Sequence, residues 1–99
     1  MNAIWKFAVP LIELSDTISV KMPPNARVLS VGNQNETLCF WCAVTCAEPT
    51  DDREFFVIGT GNPAMDEIHT PKRFIGTVQF HGGAFVVHVF DARPLGFLS

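Results

Sequence analysis

The most regular pattern in the chain runs from Arg73 to Phe90, RFIGTVQFHGGAFVVHVF, where two β-rich runs flank Gly82-Gly83. A glycine pair between such runs signals a two-residue hairpin, because a primed turn needs positive φ that glycine adopts without a Cβ clash. The register sets His81 opposite Ala84, Phe80 opposite Phe85, Val78 opposite Val87 and Gly76 opposite Val89. On the other parity Gln79 faces Val86, Thr77 faces His88 and Ile75 faces Phe90. Successive strand residues point to opposite faces, so Phe80, Val78, Phe85, Val87 and Val89 form one apolar face that predicts the core. Ile75, Thr77, Val86, His88 and Phe90 fall on the other face, a candidate interface covered in part by another element or a partner chain.

The rest of the chain reads in the same period. Ile4 to Val9 places Trp5, Phe7 and Val9 on one face and Lys6 on the other, and Pro10 ends it. Thr17 to Met22 alternates cleanly and is closed by Pro23-Pro24-Asn25, since neither proline can donate a ladder hydrogen bond. Arg27 to Gln34 sets Val28, Ser30 and Gly32 against Leu29 and Val31, and Thr37 to Thr45 is apolar on both faces, as a central strand is. AEPTDDR, Ala47 to Arg53, reads as a polar surface loop; Glu54 to Thr60 is a further strand ended by glycines. Asn62-Pro63 opens a short helical turn with Asp66 and Glu67 at its positive end, and Pro71 stops it. The tail after Asp91 has no period, though Leu95, Phe97 and Leu98 are apolar. About seven short strands with one helical turn predict an all-β fold: an antiparallel meander curled into a sandwich or a small, partly open barrel.

Length and charge narrow the function classes. The 99 residues make one domain, 1–99, with nine phenylalanines, no tyrosine and a formal charge of −3. Clustered Lys and Arg are what a nucleic-acid backbone requires, and the seven basic residues here are scattered. No apolar run reaches the length of a membrane span, and the start MNAIWKFAVPLIEL lacks a basic segment followed by a long apolar one, so the reading is of an unexported chain without a membrane partner. Sparse charge and abundant phenylalanine predict self-association, as a dimer or a larger ring.

Spacing limits what the chemistry-bearing residues can do. Cys39, Cys42 and Cys46 invite a zinc reading. On a continuous strand, however, Cys39 and Cys42 point to opposite faces, and Cys42 and Cys46 lie roughly 13 Å apart, beyond thiolate reach of one ion. They read as free, buried thiols, with no metal and no cofactor. His69, His81 and His88 come with no nucleophile elbow or orienting acid, so no residue is assigned a catalytic role. The turn Gly59, Thr60, Gly61, Asn62 offers backbone N–H groups to an anion, with Lys72 and Arg73 following as a source of positive charge. These six residues are the candidate ligand loop.

Ile4-Trp5-Lys6, LSVGNQN at Leu29 to Asn35, the tryptophan of CFWCAV, GTGNP at Gly59 to Pro63 and the RFIGTVQFHGGAFVVHVF hairpin together resemble a family of small proteins of unknown function found mostly in tailed bacteriophages and prophages. The resemblance spans nearly the whole chain. It implies a phage origin and a setting in the bacterial host cytoplasm, and carries no catalytic residue with it. The expected function is a non-enzymatic phage accessory protein that binds a host protein or a small nucleotide signal, against host machinery or a host defence. The alternatives are a structural or assembly component of the particle and, from a third class, a small hydrolase using the histidines.

The hairpin register makes one prediction directly. Gly83→Val should lower stability by about 1–3 kcal/mol, because a β-branched residue is forced to positive φ. A melting midpoint unchanged from the parent would remove the basis for this turn.

Overall fold

Residues 2–45, 49–62 and 72–94 are described by the structure, a computed structural model. Alternating runs give seven strands: β1 (Asn2–Pro10), β2 (Thr17–Met22), β3 (Arg27–Gln34), β4 (Thr37–Thr45), β5 (Asp51–Gly59), β6 (Lys72–Phe80) and β7 (Phe85–Pro94). They form two antiparallel sheets, one in the order β1-β4-β3 and one in the order β2-β5-β7-β6. The all-β antiparallel expectation holds as a sandwich, not a closed barrel. Neighbours within a sheet are mostly not sequential. Among the described strands only β3–β4 and β6–β7 are hairpins, so the chain changes sheet after β1, β2 and β4.

The core lies between the sheets. Leu38, Phe40, Cys42 and Val44 of β4 meet Ile18, Val20 and Met22 of β2, Phe55 and Val57 of β5, and Val78, Phe80, Val87 and Val89 of the hairpin. Phe40 and Phe55, both fully buried, bring their rings to 4.5 Å across the two layers. Four of the five residues assigned to the apolar hairpin face are buried. Phe85, beside the turn, is 38% exposed, with its ring 5.9 Å from that of the fully buried Phe80.

The hairpin register matches the expected one from Phe80↔Phe85 to Gly76↔Val89, and then departs from it. An irregularity between Phe74 and Gly76 sets Phe74, not Ile75, opposite Phe90, and Ile75 packs against the core. A β-bulge adds one residue to one strand and so reverses facing beyond it, which strict alternation does not foresee. The same device in β3, between Val28 and Ser30, lets Val28 and Val31 both pack toward the core. At the turn, Gly82 and Gly83 have φ of 65° and 98°, and the Ala84 N–H donates to the His81 carbonyl at 3.2 Å. His81 itself has φ 52°, so the loop spans four residues between the paired phenylalanines.

Two expected loops prove to be strand. Asp51 to Arg53 belong to β5, with Arg53 buried, and β7 continues past Asp91 to Pro94. Pairing with β2 extends β5 backward, and pairing with β6 extends β7 forward. The helical turn expected at Pro63, with Asp66 and Glu67, lies outside the described residues, as do Cys46, His69, Leu95, Phe97 and Leu98.

One side of the sandwich is clasped. Asn33 Nδ2 donates to the Gln79 carbonyl at 2.9 Å, and the Glu36 carboxylate accepts the His81 N–H at 3.1 and 3.2 Å. The two-residue β3–β4 turn holds Asn35 and Glu36 at φ 55° and 57°, and Asn33 Oδ1 accepts the Glu36 N–H at 2.8 Å. Non-glycine residues pay for that conformation with roughly 1–2 kcal/mol each, which the cross-sheet contacts offset. Beneath the clasp β3 and β6 approach closely: a Cβ on Gly76 would stand 2.9 Å from Val31 Cγ2. Gly76→Val should therefore cost about 1–3 kcal/mol by overpacking, and Val31→Ala in the same chain should recover part of it. Additive losses in a urea-denaturation cycle would show that the two positions do not share this contact.

Candidate functional site

The outer face of the four-stranded sheet carries a cross-strand row of side chains. Register aligns Thr17, Phe56, Phe90 and Phe74 across β2, β5, β7 and β6. Phe56 and Phe90 are half-buried, Phe74 is 54% exposed, and the Phe74 and Phe90 rings meet edge to face at 5.3 Å. Aromatic pairs of this kind contribute about 0.5–1.5 kcal/mol beyond their area. In the next row Ile58, His88 and Thr77 align, and beyond it Val86 stands opposite Gln79.

His88 is held on both sides. Thr60 Oγ1 lies 2.7 Å from Nε2 and Thr77 Oγ1 lies 2.9 Å from Nδ1. In a neutral imidazole one nitrogen donates to a threonine oxygen and the other accepts from a hydroxyl, and the two hydroxyls can exchange these roles. The pair of His88 and the Thr60 hydroxyl has the spacing of a base and a nucleophile. Thr77 occupies the position where an orienting carboxylate would stabilise an imidazolium, and a hydroxyl supplies no such charge. Among the described residues no carboxylate contacts the ring.

The two sequence-derived candidate sets meet here in part. Thr60 of the ligand loop bonds His88 of the interface set, and Thr77, Val86 and Phe90 share the face. Ile75 does not, because of the bulge, and Phe74 takes its place. The loop engages its own N–H groups: Thr60 donates to the Val86 carbonyl at 3.0 Å and Asn62 to the Gly59 carbonyl at 3.1 Å. Gly61 adopts φ 83°, and at Gly59 a Cβ would stand 2.6 Å from Asn62 Nδ2, so tight turning accounts for both glycines. Lys72 and Arg73 pair with Pro94 and Asp91, while Thr60 pairs with Val86. Five to eight residues of β7 separate these levels, roughly 17–26 Å at about 3.3 Å per residue. The six-residue ligand loop is therefore not assembled at one place.

Cys39 and Cys42 are both buried, on opposite faces of β4, Cys42 toward the core and Cys39 on the outer side beside Ala8 and Gly32. Burial pushes the Cys42 thiol up to about 11 against the opposing influence of Arg53. Trp41 is half-buried and covers Gly32, where a Cβ would stand 3.3 Å from its ring; Phe40 is core, and Trp5 is 40% exposed.

A second constellation lies outside both candidate sets. Arg53, 4% exposed, donates from Nη2 to Asp91 Oδ2 at 2.6 Å and from Nη1 to the Ala26 carbonyl, and lies 5.6 Å over the Phe55 ring. The Arg93 backbone N–H donates to Asp91 Oδ1 at 3.0 Å, its Nη2 lies 3.4 Å from Oδ2, and its Nη1 donates to the Pro24 carbonyl at 3.3 Å. Burial alone would raise the Asp91 carboxyl, but the hydrogen bonds and charges of Arg53 and Arg93 hold it below the usual carboxylate range. Burial lowers Arg53, opposed by the Asp91 hydrogen bond and charge. The signal was present: Arg53 continues the parity of Phe55 and Val57, and Asp91 that of Val87 and Val89.

Fold and outer face together define a small antiparallel β-sandwich bearing an aromatic row beside a hydroxyl-bridged histidine. Within that class the chain belongs to the DUF7352 family, a domain of unknown function, whose model matches residues 1–95. No curated protein and no solved structure matches the chain.

The buried network sets an acid limit on stability. A carboxyl whose folded pKa lies below its unfolded value stabilises the fold above about pH 4, and that contribution is lost as pH falls through the folded pKa. Asp91→Asn should cost about 3–5 kcal/mol at neutral pH, because it leaves the Arg53 charge buried without its counter-charge, and should flatten the acid limb of the stability profile. Urea unfolding of parent and variant across that range checks both; parallel acid limbs would exclude Asp91 as their source.

Proposed function

We propose that this protein is a non-enzymatic accessory protein of a tailed phage or prophage, acting in the bacterial host cytoplasm by binding a host protein through the outer face of the four-stranded sheet. The observation that carries the reading is the row Phe56, Phe90 and Phe74 beside Thr77, His88 and Thr60, with Phe74 54% exposed. Aromatic side chains flanked by fixed polar groups are the composition of a protein-binding surface. The phage setting rests on the motif resemblance.

A nucleotide signal fits this face less well than a protein does. The loop N–H groups of Thr60 and Asn62 are engaged within the fold, and Lys72 and Arg73 stand at the far end of the sheet. Against catalysis speaks the hydroxyl of Thr77 in the place of an orienting acid.

Affinity capture from host lysate, with mass spectrometry of retained proteins and small molecules, tests the proposal. The parent should retain a host protein that Phe74→Glu loses while keeping its circular dichroism and melting midpoint. Retention unaffected by Phe74→Glu, or recovery of the protein as a stoichiometric part of purified particles, would overturn it.

A further inference from the structure

The β1 edge of the three-stranded sheet is open, and its hydrogen-bonding parity follows from the β3–β4 hairpin. A two-residue turn makes Gln34 and Thr37 a mutually hydrogen-bonded pair, and such pairs alternate along an antiparallel ladder. Thr37, Cys39 and Trp41 therefore direct their backbone groups to β3, and Leu38, Phe40, Cys42 and Val44 direct theirs to β1. Their partners Val9, Phe7, Trp5 and Ala3 face β4. The N–H and C=O groups of Asn2, Ile4, Lys6 and Ala8 point away from the sheet, with no backbone partner among the described residues.

This edge differs from the other three. β3 and β6 are clasped through Asn33, Gln79, Glu36 and His81. β2 exposes Thr17, Ser19 and Lys21, the last paired to Asp52 at 3.0 Å, which is the polar, charged form that edges take to resist pairing. β1 is apolar: Ile4 is 64% and Trp5 40% exposed, and Ile12, in the short turn after it, is 94% exposed. Its one charge does not guard it, because Lys6 Nζ donates to Gln34 Oε1 at 2.5 Å across the outer face of the sheet.

We infer that β1 pairs antiparallel with β1 of a second copy about a two-fold axis centred on Trp5, making one continuous six-stranded sheet. Edge parity restricts the possibilities, since outward-pointing residues must oppose one another. An axis on Lys6 sets two ammonium groups opposite. An axis on Phe7 sets Pro10, which has no N–H, opposite Ile4 where a donor is required. An axis on Trp5 pairs Ile4 with Lys6 of the second copy and Asn2 with Ala8, matching every donor with an acceptor over seven residues. It also brings the two Trp5 side chains together and sets Ala3 beside Phe7. The interface lies on the other sheet from the proposed host-binding face, so the two can be broken independently.

Sedimentation and disulfide trapping test the inference. Trp5 and its symmetry mate would form a non-hydrogen-bonded pair with Cα atoms about 4.5 Å apart, within the roughly 4.4–6.8 Å span of a disulfide. Trp5→Cys should therefore yield a covalent dimer on mild oxidation, while Lys6→Cys, out of register with its mate, should not. Ile4→Pro removes an edge N–H that the fold itself does not use, so a parent of dimer mass should become monomeric with its melting midpoint retained. A parent monomeric up to its solubility limit, a dimer that survives Ile4→Pro, or trapping through Lys6→Cys in preference to Trp5→Cys would each overturn it.

Discussion

A guanidinium sealed into an apolar layer needs a carboxylate in contact and acceptors for its other donors, and the buried Arg53–Asp91 pair organises one end of this sandwich around that requirement. Neighbouring strands supply the two charges: Arg53 from β5 and Asp91 from β7. One further donor from each arginine reaches the connection between the sheets, Arg53 Nη1 the Ala26 carbonyl and Arg93 Nη1 the Pro24 carbonyl. The segment from Pro23 to Ala26, which carries the chain from one sheet to the other, is thereby tied to the strand ends below it. Arg53 Nε meets no acceptor among the described residues. Such pairs often contribute little net stability relative to an apolar replacement, yet they are intolerant of losing one member. Their effect here is to fix the β5–β7 alignment and the course of the turn together.

That alignment positions the outer face. Once β5 and β7 are paired, Phe56 stands beside Phe90, and the end of β5 brings Thr60 to His88. The β6–β7 hairpin then completes the row with Thr77 and Phe74. Four strands separated in the chain thus build a face that no local stretch contains. The bulge in β6 decides which residue joins the row, by sending Ile75 inward and Phe74 outward.

The two sides of the sandwich differ for a physical reason. On the β3/β6 side, glycine at position 76 and a hairpin with two left-handed residues allow close approach and a polar clasp. On the β1/β2 side the strands barely touch, and Trp5 and Phe7, on the parity of β1 that includes the core residue Val9, bring their rings to 6.4 Å. The exposed apolar residues of that side, Ile4 and Trp5, lie on the β1 edge of the three-stranded sheet, and the β2 edge of the four-stranded sheet is polar.

Local pattern alone determined a large part of this protein: the strand period, the glycine hairpin with its register from Phe80↔Phe85 to Gly76↔Val89, the opposed faces of Cys39 and Cys42, and the pairing of Thr77 with His88. These depend on interactions between residues close in the chain, or on parity along one strand. The motifs also pointed to a family of unknown function, which the match over residues 1–95 establishes. Only the tertiary structure decided the strand order, the bulges at Leu29 and Ile75, the burial of Arg53 and Asp91, the contact of Thr60 with His88 and the separation of Lys72 and Arg73 from the Gly59–Asn62 turn. Each turns on which distant strand lies alongside. Pairing partners are chosen by the fit of whole sheets across the core, and neither a polar run such as TDDR nor a break in alternation announces which partner will cover it.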